Sequence, residues 1–494
     1  MPLLDALRDC TNKSNAPFYA PGHKRGVGIS KPLSDLLGIA VFQADLPELP
    51  ELDNLFAPEG VILEAQQLAA EAFGAEFTWF LTNGSTCGIV AAILATCSQG
   101  DKIILPRNIH QSAISGLILS GAIPIFVNPE YDADWDIANC ITPKNLAISL
   151  EQHPDAKAVM VVYPTYHGVC GNLEEIAQLT HQYHIPLLVD EAHGAHFNFH
   201  PDLPRTALSC GADLTVQSTH KVLGAMTQAS MLHVQGNYIN ISRINRALQL
   251  VQSTSPSYLL LASLDAARQQ MALHGEELMM RTLMLAETAR SRLSEIPGLS
   301  VLGVLNTPGF VALDSTRLTV KVSDLGLSGF AVDEILNEEL GVTAELPMLK
   351  HLTFIISLGN TESDIDSLIE AFMAISHRNL TINNTQKRRN HPEKSPSPHL
   401  PLSPSPPLPI SPSPHLLSPR DAFFATAEVV LVDRACDRIS AEIICPYPPG
   451  IPILIPGEII TQEAVEYLQE VLILGGCITG CSDPTLKTFK VVKD

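Results

Sequence analysis

Apolar and polar positions alternate in two different rhythms along the first half of the chain. Segments with helical spacing occupy residues 61–73, 87–97, 111–120 and 173–183. Apolar runs of strand length occupy residues 77–81, 103–105, 123–127, 158–163 and 185–189. Strands that alternate with helices form a mainly parallel sheet covered on both faces. The pattern therefore predicts an α/β domain, in which a ligand binds beyond the carboxyl ends of the strands.

The rhythm changes after about residue 256. A long helical stretch from Leu259 to Leu293 precedes strands at 317–322 and 352–358 and helices at 331–339 and 362–375. This order predicts a second, smaller α+β domain. A compact folded tail is expected to begin at Asp421.

Between these parts lies a Ser/Pro-rich segment. Ser-Pro-Ser-Pro recurs at 395–398, 403–406 and 411–414. Such proline density prevents helix and sheet and favours an extended, solvated linker. A proline-motif ligand for a partner domain is the alternative interpretation.

Length and charge narrow the function classes. A chain of 494 residues is expected to hold two or three domains. No segment reaches the roughly 18 uninterrupted apolar residues of a membrane span. The N-terminus carries Asp5, Arg8 and Asp9 without the apolar core of a secretory signal. We therefore expect a cytoplasmic protein that does not insert into a membrane.

The formal net charge of −21 argues against nucleic-acid binding. It mildly favours a cationic substrate, although solubility alone also explains an acidic chain. Cys477 and Cys481 lie four residues apart, and no further cysteine or histidine is placed to complete a zinc site. We expect no metal and reduced thiols.

The first candidate for chemistry is Lys221. It follows the β-type run 214–216 and is flanked by Ser218 and His220. A lysine amine has a reference pKa near ~10.4, so it becomes a nucleophile at neutral pH only in an activating site. Hydroxyls, a histidine and small residues suit a lysine that holds an aldehyde cofactor and its phosphate. Taken alone, Lys221 is also compatible with a surface position.

Asp190 is the second candidate, because it ends the predicted strand 185–189. A carboxylate there can pair with a pyridine nitrogen and keep that ring protonated, while the small Ala192 lets the ring lie flat. A helix N-cap is the alternative role for Asp190. The string Asp-Glu-Ala-His at 190–193 also suggests a helicase, but the sequence has no Gly-Lys dipeptide for a phosphate loop.

Two further positions complete a pattern. Residues 83–86 (Asn-Gly-Ser-Thr) lie between a strand and a helix, where Ser85, Thr86 and the backbone amides can bind a phosphate or simply cap the helix. His110 follows the next strand and can stack on a ring. Phosphate site, histidine, strand-end aspartate and lysine follow one another in this order in the aspartate-aminotransferase-like enzymes of pyridoxal 5′-phosphate (PLP). The order predicts PLP as the cofactor.

The segments around Lys221 carry a closer resemblance. Residues 218–221 (Ser-Thr-His-Lys) and 227–230 (Thr-Gln-Ala-Ser) resemble the signature of the bacterial ornithine/lysine/arginine decarboxylases, in the short form without an N-terminal wing domain. Further stretches similar to this family lie at 20–26, 48–53, 165–168, 253–256, 358–361, 446–452 and 456–458. The family fold is the PLP-dependent transferase-like fold (fold type I). The Ser/Pro-rich segment has no expected counterpart in it.

The resemblance implies a role for each candidate. Lys221 would hold PLP as a Schiff base, Asp190 would pair with the ring nitrogen, and Lys221 or His220 would return a proton to the substrate α-carbon. The expected catalytic residues are Lys221, His220 and Asp190. The expected cofactor-binding residues are those three with Ala192, His193 and His110, and with Ser85, Thr86 and Ser218 around the phosphate. His193 would contact the cofactor hydroxyl or the substrate carboxylate. His167 departs from the family, which often has Asp there.

The predicted function is PLP-dependent decarboxylation of arginine, lysine or ornithine to the corresponding amine and CO2, feeding polyamine synthesis. An aminotransferase or aldol-type lyase of the same fold is one alternative, and a non-catalytic PLP-binding protein is another. A homodimer is the smallest assembly expected, since sites of this fold lie at dimer interfaces. Candidate carboxylates for the distal cation of the substrate are Glu48, Glu51, Asp53 and Glu458.

The predicted organisation has five parts, each with its own composition. They are an N-terminal arm (1–60), a PLP-binding large domain (61–258), a small α+β domain (259–380), a Ser/Pro-rich low-complexity linker (381–420) and a C-terminal decarboxylase domain (421–494).

Overall fold

The computed structural model describes residues 1–388 and 417–493, with side chains described outside 380–388. The Ser-Pro repeats of the predicted linker lie outside the described residues. The chain divides into two compact units. The first consists of Met1–Ile103, Pro154–Tyr163 and Leu173–Met279, and the second of Ile104–His153, Pro164–Asn172 and Met280–Asp494. Within the described ranges, no helix has the length and apolar character needed to cross a membrane.

The helices of the described residues are α1 (Pro2–Thr11), α2 (Lys31–Leu37), α3 (Ile39–Ala44), α4 (Val61–Phe73), α5 (Gly84–Thr96), α6 (Gln111–Ser120), α7 (Pro143–Gln152), α8 (Leu173–Gln182), α9 (Thr219–Val222), α10 (Ile241–Val251), α11 (Tyr258–Ser294), α12 (Gly329–Glu339), α13 (Glu362–Arg388), α14 (Pro419–Phe424) and α15 (Gln462–Ile473).

The strands of the described residues are β1 (Phe77–Leu81), β2 (Lys102–Pro106), β3 (Ile123–Val127), β4 (Tyr131–Asp132), β5 (Ile137–Ala138), β6 (Ala158–Val162), β7 (Val169–Cys170), β8 (Leu187–Asp190), β9 (Leu214–Gln217), β10 (Ser230–Val234), β11 (Ser300–Val301), β12 (Ala312–Leu313), β13 (Arg317–Lys321), β14 (Leu346–Pro347), β15 (His351–Ile355), β16 (Ala427–Leu431), β17 (Cys445–Tyr447), β18 (Cys477–Thr479) and β19 (Thr488–Val492).

The sheet of the first unit positions the candidate site. Strands β6, β8 and β9 run parallel. Strand β10 pairs antiparallel with β9, and β1 pairs antiparallel with β10. Asp190 at the end of β8 is opposite Val216 of β9. The carboxyl ends of β8 and β9 therefore open side by side, with Lys221 four residues beyond the end of β9.

The expected mainly parallel α/β fold is confirmed. The helices α4 and α6 and the strands β1 and β3 have the predicted bounds. Helix α5 begins at Gly84 rather than at Cys87, because the small polar residues 84–86 form its first turn instead of a loop. Strand β10 was not predicted. It begins at Ser230, the last residue of the 227–230 signature segment, which was interpreted for its chemistry rather than for its secondary structure.

The second unit contains a four-stranded antiparallel sheet in the order β11-β13-β15-β14. Its buried face includes Leu318, Val320 and Phe354, which pack with Phe372 of α13. The C-terminal residues form a separate apolar cluster around Leu468 of α15, with the strand pairs β16–β19 and β17–β18. The predicted small α+β character is thus present here, while the five predicted domain bounds stay a prediction.

A chain of buried polar groups crosses the first unit's sheet. The Thr78 hydroxyl bonds to Nδ1 of His233 at 2.8 Å, and Nε2 of His233 lies 3.2 Å from Oε1 of Gln217. The Gln217 amide donates to Oε2 of Glu191 at 2.8 Å. Since the Gln217 oxygen can only accept, Nε2 of His233 carries the proton and Nδ1 accepts from Thr78. Burial lowers the pKa of His233 to about 3, so this imidazole is neutral at ordinary pH.

We expect the stability contributed by His233 to be lost in acid. In the unfolded chain its imidazole binds a proton near pH 6.5, but in the folded chain only near pH 3. The unfolded state therefore binds more protons between these values, and stability falls as the pH decreases. His233→Gln removes this dependence. Its deficit relative to wild type, on the order of 1–3 kcal/mol at pH 7, should shrink by about 1.4 kcal/mol per pH unit below 6.5. Denaturant unfolding at pH 7, 6 and 5 measures it, and a constant deficit would contradict the assignment.

Candidate active site

Lys221 lies in the short helix α9, directly after β9. Its backbone N–H donates to the carbonyl of Ser218 at 3.0 Å. Its side-chain amine donates to Nε2 of His193 at 2.9 Å. His193 follows the end of β8 by three residues and is 6 % exposed. The turn after β8 thus supplies a hydrogen-bond acceptor to the lysine presented after β9.

Asp190 is buried at the carboxyl end of β8, with 5 % of its surface exposed. The backbone N–H of Ala192, which is also buried, donates to its Oδ1 at 3.2 Å. Burial raises the pKa of Asp190, and the positive charge of Lys221 acts in the opposite direction. A buried carboxylate of this kind is stabilised by a cation that pairs with it.

His220 is partly buried beside Lys221. Its Nδ1 donates to the carbonyl of Ala229 at 2.9 Å, which leaves Nε2 able to accept. Burial lowers the pKa of His220; the bond to the Ala229 carbonyl opposes this shift and the Lys221 charge adds to it. A neutral imidazole with a defined tautomer results.

The predicted phosphate site is assembled at the start of α5. The hydroxyl of Ser218, after β9, donates to the hydroxyl of Ser85 at 2.8 Å, while Thr86 is exposed in the same turn. The N-cap Asn83 makes no side-chain bond to the first helical amides, and its Oδ1 accepts from Ser253 at 3.3 Å. These amides therefore lack a side-chain cap, and with two hydroxyls beside them they suit a phosphate dianion.

His110 belongs to the second unit, whereas the other predicted site residues lie in the first. It is the N-cap of α6, and its Nδ1 accepts from the backbone N–H of Ser112 at 3.2 Å. The backbone N–H of Gln111 donates to the carbonyl of Gly450 at 3.0 Å. His110 is thus held by its own helix and lies next to a C-terminal segment.

His167 also lies in the second unit. It is buried, with its ring edge-on to His351 at a centroid distance of 5.0 Å. Burial lowers the pKa of His167 to about 4, so it is a neutral side chain. Its expected effect on the cofactor hydroxyl stays a prediction.

The four candidate carboxylates for a substrate cation differ in the partners that they already have in the structure. Asp53 accepts backbone N–H groups of residues 54, 59, 60 and 62, so it organises the start of α4. Glu51 pairs with Lys13 at the surface. Glu458 is buried against Arg107. Glu48 has a buried Oε1 without a hydrogen-bond partner among the described residues, so it alone of the four retains a free buried oxygen.

Sequence reasoning missed two contacts. It did not predict that the Lys221 amine bonds to Nε2 of His193, while the predicted contact of His193 with the cofactor or the substrate stays a prediction. It gave Arg107 no role, although Arg107 is among the largest fully buried side chains. The local sequence contains a signal for the first, because Asp190 and His193 share one strand-end turn.

The chain is similar to known decarboxylases along most of its length. The family model described as "Orn/Lys/Arg decarboxylase, major domain" matches residues 1–315, and "Orn/Lys/Arg decarboxylase, C-terminal domain" matches residues 415–474. Arginine decarboxylase of Bacillus subtilis (strain 168) is 39 % identical, covering 100 % of this chain and 98 % of the relative. Arginine decarboxylase of Bacillus anthracis is also 39 % identical, covering 100 % and 97 %.

Solved structures show the same fold. Lysine decarboxylase of Francisella novicida superposes with a TM-score of 0.83 at 23 % identity, covering 100 % of this chain and 81 % of that chain. The constitutive lysine decarboxylase of E. coli gives a TM-score of 0.80 at 21 % identity, covering 100 % and 82 %. Because a family model spans most of the chain and full-length relatives reach 39 % identity, this chain belongs to the Orn/Lys/Arg decarboxylase family.

Proposed function

We propose that this chain is a PLP-dependent decarboxylase that converts arginine into its amine and CO2. The observation that carries the proposal is the pairing of Lys221 with His193 at 2.9 Å beside the buried carboxylate of Asp190. A lysine amine next to a hydrogen-bond acceptor and a buried acid is the arrangement needed to hold an aldehyde cofactor with a protonated ring.

The choice of arginine is supported by the relatives. Four relatives named arginine decarboxylase are 38–39 % identical to this chain. Three named lysine decarboxylase are 24–26 % identical. The free buried oxygen of Glu48 adds a carboxylate that could take part in binding a guanidinium.

The residues present fit PLP. Lys221 would hold its aldehyde carbon and Asp190 its ring nitrogen, with the small Ala192 beside the ring. Ser85, Thr86, Ser218 and His220 would hold the phosphate, and His110 would stack on the ring. When bound, PLP accepts the electrons released from the bond between the α-carbon and the carboxylate of the substrate.

The side chains supply the proton steps. Nε2 of His193 is placed to take a proton from the amine of Lys221, which leaves that amine nucleophilic. Nε2 of His220 is available because Nδ1 is bonded to the Ala229 carbonyl. Either the Lys221 amine or His220 would return a proton to the α-carbon after CO2 leaves.

We further propose a location, an assembly and a use of the product for this protein. It is cytoplasmic, it forms at least a homodimer, and its amine product enters polyamine synthesis. The acidic chain, with a net charge of −21, is consistent with a cationic substrate. Family membership supports the dimer, because sites of this fold are completed by a second subunit.

A substrate panel tests the activity. We expect the purified protein with PLP to release CO2 and amine from arginine with kcat/KM at least about tenfold above lysine and ornithine. Product analysis must quantify amine, CO2 and keto acid together. Keto acid without CO2 would identify an aminotransferase, preference for lysine or ornithine would overturn the arginine assignment, and bound PLP without turnover would identify a non-catalytic PLP protein.

A further inference from the structure

We propose that three residues of the C-terminal part of the chain, Arg420, Gly450 and Glu458, are positioning residues for His110. We call their contacts with residues 107–120 the α6 clamp. The proposal rests on the proposed function, in which His110 stacks on the PLP ring. All residues of the clamp lie in the second unit.

The base of the clamp is a buried ion pair. Arg107 directly follows β2 and precedes His110 by three residues. Its Nε donates to Oε1 of Glu458 at 3.0 Å, and its Nη2 donates to Oε2 at 2.9 Å. Two parallel bonds between planar groups fix both distance and orientation. Arg107 is 1 % exposed and Glu458 is 2 % exposed, so water does not compete for these bonds.

Backbone groups complete this base. Nη1 of Arg107 donates to the carbonyl of Pro452 at 2.7 Å, and Nη2 donates to that of Ile453 at 3.0 Å. Oε2 of Glu458 accepts the N–H of Ile455 at 3.0 Å. The guanidinium is therefore bound to a whole turn of the C-terminal segment rather than to one side chain.

The second contact lies at the start of α6. The N–H of Gln111 is one of the first helical amides, which have no partner within the helix, and it donates to the carbonyl of Gly450 at 3.0 Å. Gly450 has a φ of +79°, and a Cβ there would lie 3.1 Å from Nε2 of His110. The glycine thus allows the backbone to approach the imidazole closely.

The third contact lies at the end of α6. Nη1 of Arg420, in α14, donates to the carbonyls of Ile118 and Leu119 at 2.9 Å each. These belong to the last carbonyls of the helix, which also lack helical partners, and a cation is favourable there. Helix α6 therefore has contacts with the C-terminal part of the chain at both of its ends. Arg107, three residues before the N-cap His110, is in addition bound by Glu458.

These contacts determine where His110 points. Nδ1 of His110 is bonded to the N–H of Ser112 and lies 2.9 Å from its hydroxyl, so the ring turns with the first turn of α6. A shift of α6 moves the ring with it. The clamp consequently gives Arg420, Gly450 and Glu458 a role in cofactor binding that acts through His110.

A double-mutant cycle tests this role. The variants are His110→Ala, Glu458→Gln and their combination, with Glu463→Gln on the exposed side of α15 as the matched control. The measurements are the PLP dissociation constant of the apoprotein and the visible circular dichroism of bound PLP. We expect each single change to weaken PLP binding about tenfold and the combination to be no weaker than His110→Ala, because Glu458 acts through His110. Glu463→Gln should match wild type.

The outcomes separate this proposal from the proposed function. Additive losses in the combined variant would overturn the clamp while leaving the PLP site intact. Absence of PLP binding by the wild-type protein would instead refute the proposed function. Glu458→Gln leaves the buried charge of Arg107 without a carboxylate beside it, so it can impair folding. The same cycle is therefore repeated with Arg420→Met, because Arg420 is only partly buried. Far-ultraviolet circular dichroism checks that this variant is folded. Additive losses of PLP binding in Arg420→Met and His110→Ala would also overturn the proposal.

Discussion

Lys221→Ala is expected to lower CO2 release by at least about 10³-fold, since it removes both the nucleophile for the cofactor aldehyde and one of the two candidate proton donors. In the structure the Lys221 amine donates to Nε2 of His193 at 2.9 Å. No other lysine of the first unit follows a strand end in this sheet's parallel part. The variant should still bind PLP through the phosphate site, but without a covalent bond.

Borohydride reduction followed by mass spectrometry measures that bond directly. Wild type should retain PLP mass on the peptide containing Lys221, and the variant should not. Lys31→Ala is the control, because Lys31 is exposed and forms an ion pair with Asp35 on its own helix. Persistence of CO2 release at the wild-type rate in Lys221→Ala would remove Lys221 from the mechanism.

The sequence was most informative where local patterns decide structure. Helix α6 and strand β3 had the predicted bounds because Gly121, in the left-handed conformation, ends the helix just before the short apolar run of the strand. The strand-end position of Asp190 was also predictable, and parallel neighbours bring the ends of β8 and β9 together. The strand-end position of Asp190 and the parallel order of the strands were therefore enough to predict that Asp190 and Lys221 lie at the same edge of the sheet.

Long-range pairing was beyond sequence reasoning. Arg107 and Glu458 are 351 residues apart, and the sequence around each of them contains no motif from which the other could be predicted as its partner. Glu458 accordingly appeared as a candidate for a substrate cation, whereas its two oxygens bind Arg107. A single sequence shows that a charge is present but not whether the fold buries a countercharge beside it.

Substitution of two buried aspartates of the same sheet is expected to have opposite effects: one should lower kcat and the other should lower stability. Asp213 accepts the N–H of Leu187 at 2.7 Å and bonds to His181 at 2.9 Å, so it joins the starts of β8 and β9. Asp190, at the other end of β8, accepts a side-chain hydrogen bond only from the N–H of Ala192 among the described residues, whereas burial raises the pKa of both aspartates. Both charges are costly to bury, but Asp190 has fewer protein partners than Asp213, and this is typical of a ligand site rather than of a structural one.

Asp190→Asn should therefore lower kcat by about 10²–10³-fold, because a neutral amide no longer stabilises a protonated ring nitrogen. Since the carboxylate is costly to bury, the unfolding free energy of the apoprotein should stay within about 1 kcal/mol of wild type or rise. Asp213→Asn is the matched control. It should lower stability by roughly 1–3 kcal/mol while kcat per folded molecule is retained. Unfolding curves of the apoproteins and kcat of the PLP-loaded forms measure both. Loss of stability without loss of kcat in Asp190→Asn would show that Asp190 is a structural cap, as Asp213 is, and would require another group to pair with the ring.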